Sequence, residues 1–297
     1  MDLQFPRAVK VVFSNSLSSF DVANLRITFE IQKSLSMYSN LCQLKIYNLS
    51  YPTRAKIGAE YSHASVYTGY GEQMSLLFDG DIQNVFHRRD GGPDTVTICY
   101  CQDAGRVIQD TISSISRDGG TPFDPLFKGL IKDLGVPIGE IQINVPDVIG
   151  GGGYTFRGKT EDILNRLGDT YRFNWYIANG KFYAVGENQV LTRFPTIFIS
   201  QTTGMVGSPT LTEIGMQVRT LLNPGLSPGA RVTVQSVGTT VEFQNTYFYD
   251  IKQTIGDNQK GRAYKILRAV HTGDTRGNDW YTDIETQANW SSWSTNF

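Results

Sequence analysis

The sequence has few cysteines and no long apolar run, and each shortage excludes a class of protein. The sequence has three cysteines, Cys42, Cys99 and Cys101. A number that is both low and odd argues against a secreted scaffold built on disulfide bonds. No stretch of about 18 apolar residues is present, so we predict no transmembrane helix and no stable membrane insertion. The first residues, MDLQFPRAVKVVF, lack an apolar signal segment with a cleavage site. We therefore expect a soluble chain that is assembled in a reducing cytoplasm.

Neither sign of charge is in excess, since the sequence has 27 basic and 28 acidic residues and a net charge of −1. The chain as a whole therefore does not attract nucleic acid or an anionic membrane. Aromatic residues and glycine are abundant, with 15 Tyr, 16 Phe and 30 Gly, a composition typical of a β-rich protein with many turns. The 297 residues are enough for one large domain or two to three small ones.

Two segments with the period of a β-strand flank a segment with the period of a helix. In residues 1–103, NLRITFEIQKSL alternates apolar and polar positions, and four similar runs follow, separated by turn residues. This predicts an antiparallel meander or small barrel. Residues 195–297 again contain alternating runs, such as GMQVRTLLNP and AYKILRAVHTGD. Between them, residues 104–194 mix helices with a hairpin, so we predict a mainly β (α+β) protein with an α+β insert.

The insert contains the clearest local signals. PFDPLFKGLIKDLGVP has helical spacing of its apolar residues, and Gly135 is placed to end that helix. AGRVIQDTISSIS is predicted as a weaker helix, and Thr160 is the expected N-cap of a third helix, TEDILNRLGDTY. Asn179-Gly180 between two aromatic-rich runs predicts a β-hairpin.

Residues 80–103 and 264–287 share a plan. Each is an apolar strand that ends at a histidine, His87 or His271, followed by a charged Gly/Asp turn and a strand that contains threonine. The similarity has two explanations. It is either the general appearance of any hairpin, or the trace of two related β-barrels that flank the insert.

Gly153–Thr160 (GYTFRGKT) matches the phosphate-binding pattern G-x-x-x-x-G-K-T, with Lys159 as the phosphate-contacting residue. A P-loop NTPase is therefore an alternative function. The context disfavours it, because the interior YTFR is bulky and favours an extended strand. Four glycines precede it instead of a buried strand, and an Asn-Gly hairpin follows the helix where a parallel strand is required. Downstream, Asp250 in NTYFYD is the best candidate for a metal-binding carboxylate, in a polar run.

No other pattern of reactive residues specifies a catalytic, cofactor or metal site. Cys99 and Cys101 share one strand face, and with His87 they offer three zinc ligands, but tetrahedral zinc takes four. Two buried thiols explain the pair better. Trp290 and Trp293 suggest a third function, a host-glycan-binding tail protein, although such tryptophans more often pack a terminal segment. We predict a non-enzymatic protein with no cofactor.

An ordered set of segments resembles the baseplate hub (late control D-like) proteins of long-tailed, mainly contractile bacteriophages. The segments are LKIYNLS, VYTGYG followed by LLFDGDIQNV (residues 66–85), GKTEDILNRLGDTYRFNWYIANGKFYAV, TTGMVGSPTLTEIGMQVRTLLNPGLSPGARVTV and RAVHTGDTRGNDWYTDIET. Together they extend over most of the chain. TGMVGSP followed by LLNPGLSPG is the most specific part.

The resemblance implies two tail-tube-like antiparallel β-barrel domains, residues 1–103 and 195–297, with the α+β insert 104–194 between them. It implies a structural virion protein, a homotrimer whose six barrels form a pseudo-hexameric ring. Such a ring adapts the six-fold tail tube to the three-fold central spike, contacts other baseplate proteins and lines the channel for DNA ejection. DNA is then only a transient partner. Because the sequence ends at Phe297, soon after the last predicted strand, we expect no fused cell-wall hydrolase.

Overall fold

A computed structural model describes residues 6–35, 40–148, 152–212, 214–236, 240–241 and 258–288. Most of these residues lie in β-strands, so the predicted mainly β class is confirmed. Within the described ranges, no helix is both long and apolar enough to span a membrane. The predicted strand NTYFYDIKQT, together with Asp250, Trp290 and Trp293, lies outside the described residues.

In the first β segment, residues 6–35 and 40–103 form seven strands and one short helix. They are β1 (Arg7–Ser14), β2 (Ser19–Val22), β3 (Ile27–Ser34), β4 (Leu41–Tyr47), α1 (Tyr51–Lys56), β5 (His63–Tyr70), β6 (Gln73–Arg89) and β7 (Thr95–Gln102). The alternation read from the sequence is the alternation of burial, since Ile27, Phe29 and Ile31 of β3 are buried and Glu30 is exposed. Helix α1 was not predicted; Ser50 caps it by accepting a hydrogen bond from the Thr53 N–H.

The described residues of the insert form three helices and five strands. They are α2 (Gly105–Asp110), β8 (Ile112–Arg117), α3 (Phe123–Leu134), β9 (Ile138–Gln142), β10 (Tyr154–Lys159), α4 (Thr160–Tyr171), β11 (Phe173–Ala178) and β12 (Lys181–Gly186). The Gly135 C-cap and the Asn179-Gly180 hairpin are confirmed. The predicted helix AGRVIQDTISSIS is wrong in its second half, because Ile112–Arg117 is a strand that pairs with β10. Thr160 is the first helical residue of α4 and Lys159 is its N-cap.

The described part of the second β segment adds seven strands. They are β13 (Ile197–Ile199), β14 (Thr210–Leu211), β15 (Met216–Leu221), β16 (Arg231–Ser236), β17 (Thr240–Val241), β18 (Asn258–Asp274) and β19 (Trp280–Ala288). The longest of them, β18, has 17 residues and contacts both β segments. Its first part pairs with β16, its last part pairs with β3, and β19 runs along its other edge.

The two β segments form one sheet. Fourteen strands are joined in the order β17-β14-β15-β19-β18-β3-β4-β7-β6-β5-β1-β2, with β16 also on β18 and β13 on β16. The expectation of two separate antiparallel barrels therefore needs correction, since no pairing among the described strands closes either segment upon itself. Two of the pairs, β13 with β16 and β14 with β17, are parallel.

Buried apolar side chains form separate clusters on the first β segment, the insert and the second β segment. Two residues from late in the sequence, Leu222 and Trp280, belong to the first cluster. Trp280 is 1% exposed and lies edge-on to Phe29 and Tyr70. The core of the first β segment is therefore completed by the second one. The domain boundaries at 103/104 and 194/195 stay a prediction.

Candidate functional site

Gly153–Thr160 does not have the shape of a phosphate-binding loop. Tyr154–Lys159 is the strand β10, paired antiparallel with β8 along its whole length. Consecutive N–H groups of a strand point to opposite sides, whereas a phosphate loop turns them inward around one anion. Thr160 is fully buried, and its hydroxyl lies 2.7 Å from that of Ser113 instead of facing a metal ion. Lys159 is exposed. The bulky interior of the motif indicated this strand correctly.

The three cysteines lie together inside the sheet. Cys42 is opposite Cys101 on neighbouring strands, and both are 2% exposed, while Cys99 is fully buried. A hydrogen bond with Cys42 and burial both raise the pKa of the Cys101 thiol, and burial raises that of Cys99. The described residues contain no cluster of three or more His, Cys, Asp or Glu side chains arranged to hold a metal. The prediction of two buried thiols is confirmed, and neutral thiols of this kind are poor nucleophiles.

A polar cluster that sequence reasoning missed lies between β5 and β6. The imidazole of His63 bridges two carboxylates, with Nε2 3.0 Å from Asp79 Oδ1 and Nδ1 3.0 Å from Asp81 Oδ1. Ser65 donates a hydrogen bond to the same Asp79 oxygen at 2.5 Å. The hydrogen bond to Asp79 is the largest reason why the pKa of His63 rises to about 9.

This cluster does not form a nucleophilic triad. The hydroxyl of Ser65 contacts a carboxylate and not the imidazole, so no general base is placed to remove its proton. Its chemistry is that of an ion pair across two strands. Each strand contributes residues two apart, which share one face, but only the register of β5 on β6 brings the two pairs together.

A buried carboxylate joins the first β segment to the insert. Asp103, 2% exposed, accepts hydrogen bonds from the N–H groups of Asn179 at 2.5 Å and Gly180 at 3.4 Å. Burial raises the pKa of Asp103 to about 6, although these hydrogen bonds oppose the rise. The side-chain amide of Asn40 also donates to the Ile177 carbonyl, at 3.0 Å. The tip of the Asn-Gly hairpin is therefore fixed against the end of β7.

The two β segments meet where β18 pairs with β3. The last residue of β18, Asp274, contacts the first segment, and its carboxylate accepts a 2.7 Å hydrogen bond from Arg26. Burial opposes ionisation of Asp274, but the hydrogen bonds from Arg26 and nearby N–H groups hold its pKa below the usual value. Arg7 donates to the Gly277 carbonyl at 2.7 Å. This junction is a continuous ladder from Thr28 to Ser34, with charged contacts at one end.

The sequence similarity between residues 80–103 and 264–287 corresponds to two equivalent hairpins, β6–β7 and β18–β19. In the first, His87 lies opposite Thr97, with Nδ1 3.1 Å from Oγ1. In the second, His271 lies opposite Thr282, with the same two atoms 2.9 Å apart. The histidine of each hairpin is therefore paired with a threonine in the same manner.

Both hairpins also contain a β-bulge at the same place. The ladder of β6 on β7 skips Gln83, and the ladder of β18 on β19 skips Leu267. Each skipped residue stands four positions before the histidine of its hairpin. Because both hairpins have the His–Thr pair and a bulge at the same distance from it, their strands pair in the same register. A β-bulge is a specific feature of a sheet and not a random irregularity. The two hairpins are thus built on one plan.

The fold as a whole is that of phage tail proteins and their relatives. A tail protein from Neisseria meningitidis MC58 aligns with a TM-score of 0.61 over 96% of this chain and 98% of its own, at 10% identity. The 43 kDa tail protein of prophage MuSo2 from Shewanella oneidensis aligns with a TM-score of 0.59 over 94% and 98%, at 9% identity. The E. coli c3393 protein aligns with a TM-score of 0.56 over 89% of this chain and 73% of its own, at 7% identity.

At these identities the structures establish the fold alone, and a sequence model identifies the family. The model of the baseplate hub gp41 family matches residues 8–240. The chain therefore belongs to the baseplate hub gp41 family and is a structural component of the phage tail baseplate. The family predicted from the ordered motifs is confirmed. No curated protein sequence is significantly similar to this one.

Proposed function

We propose that this chain is a non-enzymatic baseplate hub subunit that forms a homotrimeric ring with pseudo-six-fold symmetry. The observation that carries the proposal is the equivalence of the two hairpins, which share a His–Thr pair and a bulge. Because each chain carries two β segments of one plan, three chains present six similar modules. Such a ring matches a six-fold tail tube on one side and a three-fold spike on the other.

The proposed partners are a second and third copy of the chain, the tail tube protein, the central spike protein and other baseplate proteins. Related folds support this set. The E. coli c3393 protein is a component of the type VI secretion system with similarity to the T4 tail proteins gp27 and gp5. A chain of the Francisella PdpA-VgrG complex shares the fold with a TM-score of 0.51. Assembly takes place in the host cytoplasm, and DNA passes through the ring only during ejection.

Native mass spectrometry of the purified chain, alone and with the tube and spike proteins of the same particle, tests the trimer. We expect a species of three times the 33.1 kDa chain mass. Mg-ATP added to the same sample is expected to leave the mass unchanged, for wild type and for Lys159→Ala. A chain that stays monomeric with both partners present contradicts the ring, and a bound nucleotide that Lys159→Ala abolishes contradicts the non-enzymatic role.

A further inference from the structure

Three buried polar residues lie side by side across the strands β3, β4 and β7. Gln32 lies opposite Leu41, so the next pair of the β3–β4 ladder is Lys33 and Asn40. Asp103 follows the last residue of β7, and its N–H donates to the Asn40 carbonyl at 3.0 Å. Lys33 and Asn40 are 3% exposed and Asp103 is 2% exposed. A lysine, an amide and a carboxylate are thus buried in one row on the core face of the sheet.

Lys33 and Asn40 form the closer of the two kinds of antiparallel pair. The Asn40 carbonyl accepts its hydrogen bond on the β7 side, and successive residues of a strand direct their backbone hydrogen bonds to alternate sides. Toward β3, Asn40 therefore stands in a non-hydrogen-bonded pair, in which the Cα atoms are only about 4.5 Å apart and the side chains are closest. The amide of Asn40 is then within reach of a long side chain such as that of Lys33.

Both ends of the Asn40 amide are held by hydrogen bonds. Its oxygen Oδ1 accepts from the Ser34 N–H at 3.3 Å, and its nitrogen Nδ2 donates to the Ile177 carbonyl of the insert at 3.0 Å. An N–H directed at a carbonyl oxygen stabilises the negative charge that an attacking nucleophile creates there. The carbonyl carbon of the Asn40 side chain is therefore both positioned and polarised for attack.

The surroundings of Lys33 favour a neutral amine. Burial lowers the pKa of Lys33 to about 8, although the charges of Asp103 and Cys42 oppose the change. Burial raises the pKa of Asp103 to about 6. The two values approach each other, so a proton passes from the lysine to the carboxylate more easily than in water. His271, whose charge would act on Lys33, stays neutral because burial holds its pKa well below the usual value.

We propose that Lys33 and Asn40 form an intramolecular isopeptide bond, with Asp103 as the proton carrier. Asp103 takes a proton from the Lys33 ammonium group, and the neutral Nζ attacks the Cγ of Asn40. The new C–N bond forms as negative charge develops on Oδ1. Asp103 then gives its proton to Nδ2 and takes one from the attacking nitrogen, so the C–Nδ2 bond breaks and ammonia leaves. The reaction consumes no oxidant and occurs once per chain.

The bond would close residues 33–40 into a covalent ring at a place where three parts of the chain meet. Ile177 belongs to the insert, and Leu35 donates a backbone hydrogen bond to the Leu267 carbonyl of β18 at 2.8 Å. Neither urea nor a reducing agent breaks an amide bond. The inference does not depend on the proposed function, because it uses the residues of a single chain.

Intact mass spectrometry of the denatured chain tests for the bond. Wild type is expected to be lighter than its sequence by one molecule of ammonia, and Lys33→Met is expected to have the full mass of its own sequence. Wild type at full mass overturns the proposal. A loss of ammonia that persists in Lys33→Met also overturns it, because another residue, such as Asn179 before Gly180, is then the source. A loss of water means that Asp103 has reacted instead of Asn40.

Trypsin digestion of the denatured chain locates the bond. Trypsin cuts only after a free lysine or arginine, so the bond should give one peptide of residues 27–45, uncut after Lys33 and lighter by one ammonia. Lys265 is the matched control, since it is equally buried with a pKa lowered to about 8, but the carbonyls of Gly186 and Glu187 hold its ammonium group. Cleavage after Lys265 is expected to be complete, and complete cleavage after Lys33 as well would overturn the proposal.

Asp103→Asn tests the proton carrier. This variant keeps the lysine and the asparagine, but its amide side chain cannot carry the proton, so the uncut peptide should fall at least about tenfold. An equal amount of uncut peptide in Asp103→Asn overturns the role of Asp103 and leaves the bond standing. The wild-type digest decides by itself whether the bond exists if a variant fails to fold.

Discussion

The His63 cluster predicts a stability that depends on pH in a known direction. The pKa of His63 rises from an unfolded value of about 6.5 to about 9, because Asp79 and Asp81 stabilise the imidazolium. A raised pKa gives the folded state a stabilisation that is fully present below about pH 6.5. The stabilisation is lost as the pH rises through about 9. His63→Gln removes the titrating group, so the cost of this substitution should fall as the pH rises.

The size of the effect follows from the shift and from exposure. A change from about 6.5 to about 9 is worth about 3 kcal/mol if it is fully expressed. The side chain of His63 is 33% exposed, so solvent screening lowers this to about 1–2 kcal/mol. A stabilisation screened to this size corresponds to a smaller rise of the pKa, so more than half of it is lost between pH 6.5 and 8. We therefore expect His63→Gln to cost about 1–2 kcal/mol at pH 6.5 and less than half as much at pH 8.

Urea unfolding of wild type and variant at the two pH values measures this difference. Subtracting the two proteins cancels the contributions of the other titrating groups, which both share. His87→Gln is the matched control, because burial lowers the pKa of His87, and the folded state then loses stability only as the pH falls toward 6.5 and below. A cost of His63→Gln that is the same at both pH values, or that grows at pH 8, would refute the reasoning.

Three further substitutions have expected outcomes in the same unfolding assay. Asp103→Ala leaves two N–H groups of the hairpin tip without a partner and should cost about 2 kcal/mol or more, whereas Asp118→Ala, at an exposed position, should cost less than about 0.5 kcal/mol. Gly69→Ala places a Cβ 1.9 Å from the carbonyl oxygen of the first residue of β6 and should cost more than about 2 kcal/mol. In the control Gly92→Ala the added Cβ has no atom within 4 Å, so this substitution should be nearly neutral. Equal costs of the two substitutions would contradict the close contact at Gly69. Lys159→Ala removes an exposed side chain from β10 and should change the free energy of unfolding by less than about 0.5 kcal/mol; a larger loss would show a role that the strand does not explain.

Local signals in the sequence predicted local structure well. Asn179-Gly180 forms the expected hairpin, in which two positive backbone φ angles suit these residues. Gly135 ends α3 with a φ of 71°, as its position after the last apolar residue indicated. Where the local prediction was wrong, a distant strand decided the outcome. Ile112–Arg117 is β-branched and serine-rich, and it becomes a strand because β10 lies beside it.

Neither the sheet that the two β segments share nor the His63 cluster could be predicted from the sequence, and the reason is the same for both. Both depend on the register between strands, and a shift of one residue moves every side chain to the other face. The pairing of β18 with β3 joins residues separated by more than two hundred positions, and no spacing in the sequence specifies it. The similarity of residues 80–103 and 264–287 was visible, but only the shared bulge distinguished a common plan from two ordinary hairpins.

The length of β18 has a mechanical consequence. Its 17 residues extend about 55 Å, and the same strand contributes Tyr264 to one core and continues alongside β3 in the other. A force that bends one β segment against the other must therefore break a hydrogen-bonded ladder, because no flexible linker lies between the two at this point. Load that enters at one end of the subunit is transmitted along a covalent backbone. The two β segments are therefore joined by a strand that belongs to both and by its hydrogen-bonded ladder.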